Sequence, residues 1–151
     1  MVIQVDTREK ARAIKSILSE FDRRAIKYYS SKLFVGDYMC LENPKLIIDR
    51  KQNLLELAQN VVQEHKRFCA ELQRAYDCEI KMIVLCEHGQ GIKTLSDVIN
   101  WQNPRLKESP MAVSGERLYR ILAAISKKYN VEFLFCEKSE TGAKIIELLG
   151  G

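Results

Sequence analysis

Apolar and polar positions alternate along the chain in runs that change period, from the two-residue repeat of strands to the three-to-four-residue repeat of helices. VIQV at 2–5 predicts a short strand that stops at Asp6, with Thr7 placed to cap a helix after it. From about 8 to 25, Ile14, Ile17, Leu18, Phe21 and Ala25 recur at helical spacing opposite Arg and Lys, which predicts an amphipathic helix on a sheet. IKYYS and SKLFVGDYMCL predict two strands in quick succession, and KLIIDRK a third after a turn at Asn43 and Pro44, an antiparallel section. Asn53 to Tyr76 predicts one helix, striped by Leu54, Ala58, Val61, His65, Phe68, Leu72 and Tyr76 and started by Asn53 with Glu56.

KMIVLCE then predicts a buried strand. The stretch from about 87 to 113 carries Gly89, Gly91, Pro104 and Pro110 around a short helix that Thr94 and Asp97 cap and that ends near Trp101; it is the least constrained part of the pattern. Helical spacing returns from Ser114 to Tyr129 through Leu118, Leu122 and Ile125, VEFLFCE is another buried strand, and 140–149 closes with a helix. The order is that of a single α/β domain over 1–151, without repeats or low-complexity tracts.

Composition narrows this reading only a little. With 151 residues and 46% hydrophobic content the chain suits one compact core. Its 24 Lys and Arg against 20 Asp and Glu leave a net charge of +4, which permits a polyanion partner without demanding one. The five cysteines are odd in number, lack CxxC spacing and mostly sit in apolar runs such as MIVLCE, so they read as reduced core residues; with His65 and His88 the only histidines, a zinc cluster is not indicated. The amino-terminal run has no apolar signal core, and nothing approaches the roughly 18 apolar residues of a membrane span. The expectation is a soluble cytoplasmic protein of a bacterial or phage-infected cell, with no membrane partner.

The chemistry concentrates in VGDYMCLENPKLIIDRK, residues 35–51. Two apolar runs each deliver an aspartate, Asp37 and Asp49, and Lys51 comes two residues after the second. Residues i and i+2 of a strand share a face, so the Asp49 carboxylate and the Lys51 ammonium point into one space while Arg50 points the other way. Carboxylates are hard ligands for Mg²⁺ or Mn²⁺, and a nearby cation positions water and offsets charge on a phosphate; metal-assisted phosphodiester cleavage needs this set.

Asp-x(11)-Asp-x-Lys matches the degenerate PD-(D/E)xK nuclease pattern. VDTRE at 5–9, VGDY at 35–38 and DRK at 49–51 resemble, in that order, the VDxRE, GDY and ERK motifs of the XPF family of structure-specific endonucleases. The resemblance spans about residues 2–87, including the helix HKRFCAELQRA and the strand KMIVLCE, and the chain's size suits small stand-alone, phage-borne relatives without the helix-hairpin-helix domain of larger members. It implies a restriction-endonuclease-like mixed sheet flanked by helices. It also implies a metal-dependent DNA endonuclease with Mg²⁺ or Mn²⁺ bound or supported by Asp6, Glu9, Asp37 and Asp49, and with Arg50 and Lys51 acting on phosphate and water. DNA, in branched form or at single-strand/duplex junctions, is the implied partner, with a homodimer as one way to grip it. Two departures stand out: Asp49 replaces the family's usual Glu, and Leu55 stands where the family has an acid four residues after the motif's Lys. Glu56 is next to that position, but its spacing from Asn53 favours a capping role.

Other features have plainer readings beside the functional one. Asp6 can end a strand and Glu9 can favour a helix start; Arg8 suits either a phosphate or a carboxylate. Lys66 and Arg67 are candidate DNA-backbone contacts on a face that is commonly solvated, with Glu71 the helical partner of Arg67 and Arg74. His65 reads as a core or hydrogen-bonded histidine, Tyr38 as strand packing, and Trp101 with Arg105 and Lys107 as either core or a strand-gripping loop. The competing functional readings are a Holliday-junction resolvase or low-specificity trimming nuclease with the same site, and a catalytically inactive DNA-binding module.

Overall fold

The structure is a computed structural model that describes residues 1–150. Six strands form one sheet in the order β2-β1-β3-β4-β5-β6. They are β1 (Val2–Val5), β2 (Lys27–Ser30), β3 (Tyr38–Cys40), β4 (Asn43–Lys51), β5 (Lys81–Glu87) and β6 (Glu132–Cys136). The helices are α1 (Lys15–Arg23), α2 (Leu54–Val62), α3 (His65–Asp77), α4 (Gly115–Tyr129) and α5 (Thr141–Leu148).

β3 runs antiparallel to both β1 and β4, while β1–β2, β4–β5 and β5–β6 are parallel. The expected antiparallel section is therefore β1-β3-β4, and it excludes β2. KYYS comes after a helix, so it returns parallel to β1 as the outer strand, with Lys27, Tyr29 and Ser30 exposed. The turn before β4 also falls earlier than expected: Asn43 already pairs with Cys40, next to a bulge between Met39 and Cys40.

Side chains of alternate parity on β4 and β5 enter different cores. Ile47, Val84 and Cys86 pack with Leu57, Phe68, Leu72, Leu118 and Leu122 of α2, α3 and α4. Ile48, Ile83 and Leu85 pack with Ile17, Phe21, Ile145 and Ile146 of α1 and α5. Each fully buried Leu or Ile of this kind stabilises the fold by roughly 1.5–3 kcal/mol. Both faces of the central strands are covered, so charge on them must be paired or face a cleft.

Three expected elements differ. Residues 8–14 are a run of turns and α1 starts only at Lys15, because Asp6 draws Arg8 back onto itself and the chain turns through Glu9 and Lys10. The single helix expected over 53–76 is two, α2 and α3, broken at Gln63 and Glu64 without a Pro or Gly. At the break the His65 Nδ1–H donates to the Val61 carbonyl at 2.9 Å, satisfying a group that α2 leaves at its end. His65 and Tyr76 consequently lie outside the core, Tyr76 at 52% exposure. The stretch 87–113 is anchored rather than loose. It forms 3-10 turns at Leu95–Asn100, capped by Thr94 and Asp97 as expected, and at Pro104–Lys107, while Trp101 is buried and Asn103 Nδ2 donates to the Val113 carbonyl at 2.9 Å. Gly115 makes this possible: a Cβ there would collide with the carbonyl oxygens of Val98 and Trp101.

Cys40, Cys86 and Cys136 are buried, Cys69 is half-buried and Cys78 exposed, all five as free thiols. No helix among the described residues is long and apolar enough to cross a membrane.

Candidate active site

Asp37 stands where three strands meet. Its N–H donates to the Ile48 carbonyl at 2.8 Å and its carbonyl accepts from the Asp6 N–H at 2.8 Å, so it is wedged between the ends of β1 and β4. Gly36 makes the approach possible: its φ is +70°, and a Cβ would collide with Ile47 Cγ2. The Asp37 Oδ2 accepts from the Arg50 backbone N–H at 2.7 Å, which fixes the carboxyl at the C-terminal end of β4.

Asp49 and Lys51 share one face of β4, as their spacing requires, and line a cleft with Arg8, Glu9, Lys10, Asp37, Arg50, Gln52 and Glu56. Lys51 Nζ is 3.2 Å from Asp49 Oδ2 and 5.5 Å from the centroid of the Phe68 ring. The pair is buried, with side-chain exposures of 13% and 8%, yet Asp49 Oδ2 makes no directed hydrogen bond. Burial and the neighbouring charges of Asp49 and Glu9 push the Asp37 carboxyl well above the ordinary carboxylate range. Burial acts against charge on Lys51, but attraction to Asp49 and Asp37 prevails and raises its pKa.

This donor set fits a hard divalent ion. Two adjoining carboxylates in a recess, one destabilised by the charge of the other, are what a metal would neutralise. No three Asp, Glu, His or Cys side chains among the described residues are gathered as a closed cage, so Asp37 and Asp49 would supply the protein ligands and water and phosphate oxygens the remainder, as suits Mg²⁺.

Asp6 and Glu9 each hold an arginine. Asp6 Oδ2 accepts from the Arg8 N–H at 3.0 Å and Nε–H at 2.6 Å, Oδ1 from the Leu33 N–H at 2.7 Å, and its side chain is fully buried. Although burial opposes its ionisation, these bonds hold the carboxyl below its ordinary range. Both oxygens accept hydrogen bonds that brace the loop before β3. Glu9 grips Arg50, with Nε–H donating to Oε1 at 2.7 Å and an Nη2–H to Oε2 at 3.1 Å.

Arg50 projects to the opposite face from Asp49 and Lys51, as expected, but into a sealed network. Its guanidinium also pairs with Glu87 Oε1, whose Oε2 accepts from the Thr141 hydroxyl at 2.7 Å. Its side chain is 4% exposed, and the guanidinium is engaged by Glu9 and Glu87 at the edge of the cleft that Arg50 also lines. Arg8, exposed at 59%, keeps its terminal nitrogens free at the cleft rim. Lys66 and Arg67 are exposed and do not line the cleft; Arg67 pairs at 3.3 Å with Glu64.

The spacing of charges misses two residues. Glu71 of α3, expected on a solvated face, is half-buried near the cleft: burial and the Asp49 charge raise its carboxyl, while Lys51, Arg74 and Arg8 partly offset this. Phe68, one turn earlier, gives the only hint, since the face that seats Phe68 against Lys51 also carries Glu71. Glu87 ends an apolar strand and showed no signal at all. Glu56 stands at the start of α2, where its N–H donates to Asn53 Oδ1 at 2.8 Å, and it also lines the cleft.

XPF from Aeropyrum pernix has the same fold at 19% sequence identity and a TM-score of 0.69, over 99% of this chain and 63% of that one. The structure of that protein in complex with DNA matches at 19% identity and a TM-score of 0.68, over 98% of this chain and 62% of that one. The chain thus spans less than two thirds of the length of these relatives. No curated protein matches the sequence. The model of the ERCC4 domain matches residues 5–149, and the chain belongs to the ERCC4 domain family.

Proposed function

We propose that this chain is a divalent-metal-dependent DNA endonuclease that hydrolyses phosphodiester bonds in branched or otherwise structured DNA. The observation that carries the reading is the Asp37–Asp49–Lys51 cleft, in which two carboxylates adjoin with the Lys51 ammonium 3.2 Å from Asp49 Oδ2. Membership of the ERCC4 domain family and a fold shared with a protein whose structure includes DNA support it.

Asp37 and Asp49 are the proposed ligands of Mg²⁺ or Mn²⁺. A bound divalent ion would offset charge on the phosphate and make water acidic enough to serve as nucleophile near neutral pH. Lys51, held charged between the aspartates and Phe68, orients the attacking water and meets charge developing on the phosphate. Arg8 and Lys10 line the same cleft as cations for the DNA backbone. Asp6, Glu9 and Arg50 brace the site: the Arg50 backbone N–H holds Asp37, and its side chain locks the end of β4 to Glu9 and Glu87.

Purified protein is incubated at low salt with labelled single strand, duplex, fork, flap and four-way junction in Mg²⁺, Mn²⁺ or EDTA, beside Asp37→Asn and Asp49→Asn. Cutting that needs the metal and is lost in both variants is expected, with forks, flaps or junctions preferred over duplex. Binding without cutting in either metal would replace the enzyme with a DNA-binding module, and symmetric paired cuts on the junction would make it a resolvase.

A further inference from the structure

Beside the cleft, on the other side of the start of α2, lies a second concavity of about 190 Å³. Leu55, Gln59, Val62 and Gln63 of α2 form one wall, and Arg105 and Met111 the other. The start of α2 separates the two, with Glu56 lining the cleft and Leu55 the groove. The groove runs along α2 from Leu55 to Gln63, about 12 Å at 1.5 Å per residue. That length suits a short stretch of extended strand and is too small for a duplex.

Its chemistry is uniform. No acidic side chain lines it and Arg105 is its one charge, with Lys107 on the same 3-10 turn. Apolar contact comes from Leu55, 36% exposed, and from Met111, which at 86% is the most exposed large hydrophobic side chain. Gln59 and Gln63 bring amides that both donate and accept. The outer wall is fixed, because buried Asn103 donates to the Val113 carbonyl and its Oδ1 accepts from the Arg105 N–H at 3.0 Å. An apolar surface for a base face, amides for a base edge and a cation for the phosphate are what an unpaired nucleotide requires.

Resting on the nuclease reading, we infer that the groove between α2 and residues 103–113 holds the unpaired strand next to the phosphate in the Asp37–Asp49 cleft. The preference for structured DNA then comes from this groove: a paired strand cannot present its base faces, and a splayed arm can.

The test is the affinity of the full chain, read by fluorescence anisotropy at one fixed ionic strength, for a fork with an unpaired arm and for a flush duplex of the same sequence. Met111→Glu and Arg105→Ala both lie at the surface, and their melting curves establish that they fold. Each is expected to weaken binding of the fork five- to tenfold and to leave the duplex within twofold. Equal losses on both DNAs, or unchanged affinity for the fork, would overturn the inference while leaving the nuclease reading intact. A wild-type chain that binds neither DNA would overturn both.

Discussion

The two faces at the end of β4, Asp49 and Lys51 on one side and Arg50 on the other, are both charged and have opposite designs. On the Arg50 side each charge has a partner: Glu9 takes two guanidinium bonds, Glu87 another, and Thr141 completes Glu87. On the Asp49 side Lys51 is the one near cation, an Asp49 oxygen lacks a directed hydrogen bond, and Asp37 crowds in as a second acid. The sealed face behaves as a rivet. The open face keeps an electrostatic imbalance that an added positive charge relieves, which is the property of a ligand site.

The contrast breaks most sharply if the rivet is not structural. Arg50→Met leaves Glu9 and Glu87 buried without their cation, and the expected cost is about 3–5 kcal/mol. At this chain length that is a fall in melting temperature of roughly 10 °C or more, read by calorimetry; a change of a degree or two would show that the network is solvated. Lys51→Met tests the open face. Its melting temperature should fall less than that of Arg50→Met, because Asp37 can take up a proton beside the stranded Asp49, while cleavage slows about 10²–10³-fold, the cost of losing one positioned charge donor. Comparable losses of stability and rate in both variants would erase the distinction between the faces.

Much of this was legible locally and little of it at long range. The two-residue period of β4 was enough to separate Asp49 and Lys51 from Arg50. The bonds that join Arg50 to Glu9 and Glu87, and Glu87 to Thr141, span 41, 37 and 54 residues, and no spacing rule reaches that far. A charge in a motif looks the same whether it faces a cleft or a partner, so nothing in the spacing of Asp6, Glu9 and Arg50 announced the bonds they make. Glu71 was hidden for a related reason: its helical neighbours Arg67 and Arg74 gave it a sufficient explanation. The break between α2 and α3 had no Gly or Pro to announce it; tertiary packing overrode a continuous helical stripe.

The central claim is that Asp37 and Asp49 together form a divalent-cation site, and calorimetric melting of wild type and Asp37→Asn, with and without Mn²⁺, tests it most directly. Asp37 is raised by burial and by Asp49, so the folded chain retains a proton that the unfolded chain releases, and metal-free stability falls as pH rises above the ordinary carboxylate range. The substitution removes that penalty, so without metal the variant should melt higher than wild type at neutral pH. Mn²⁺ at tenfold over its Kd should stabilise wild type by about 1.4 kcal/mol and leave the variant unmoved. Equal Mn²⁺ shifts in both proteins, or none in wild type, would contradict the account.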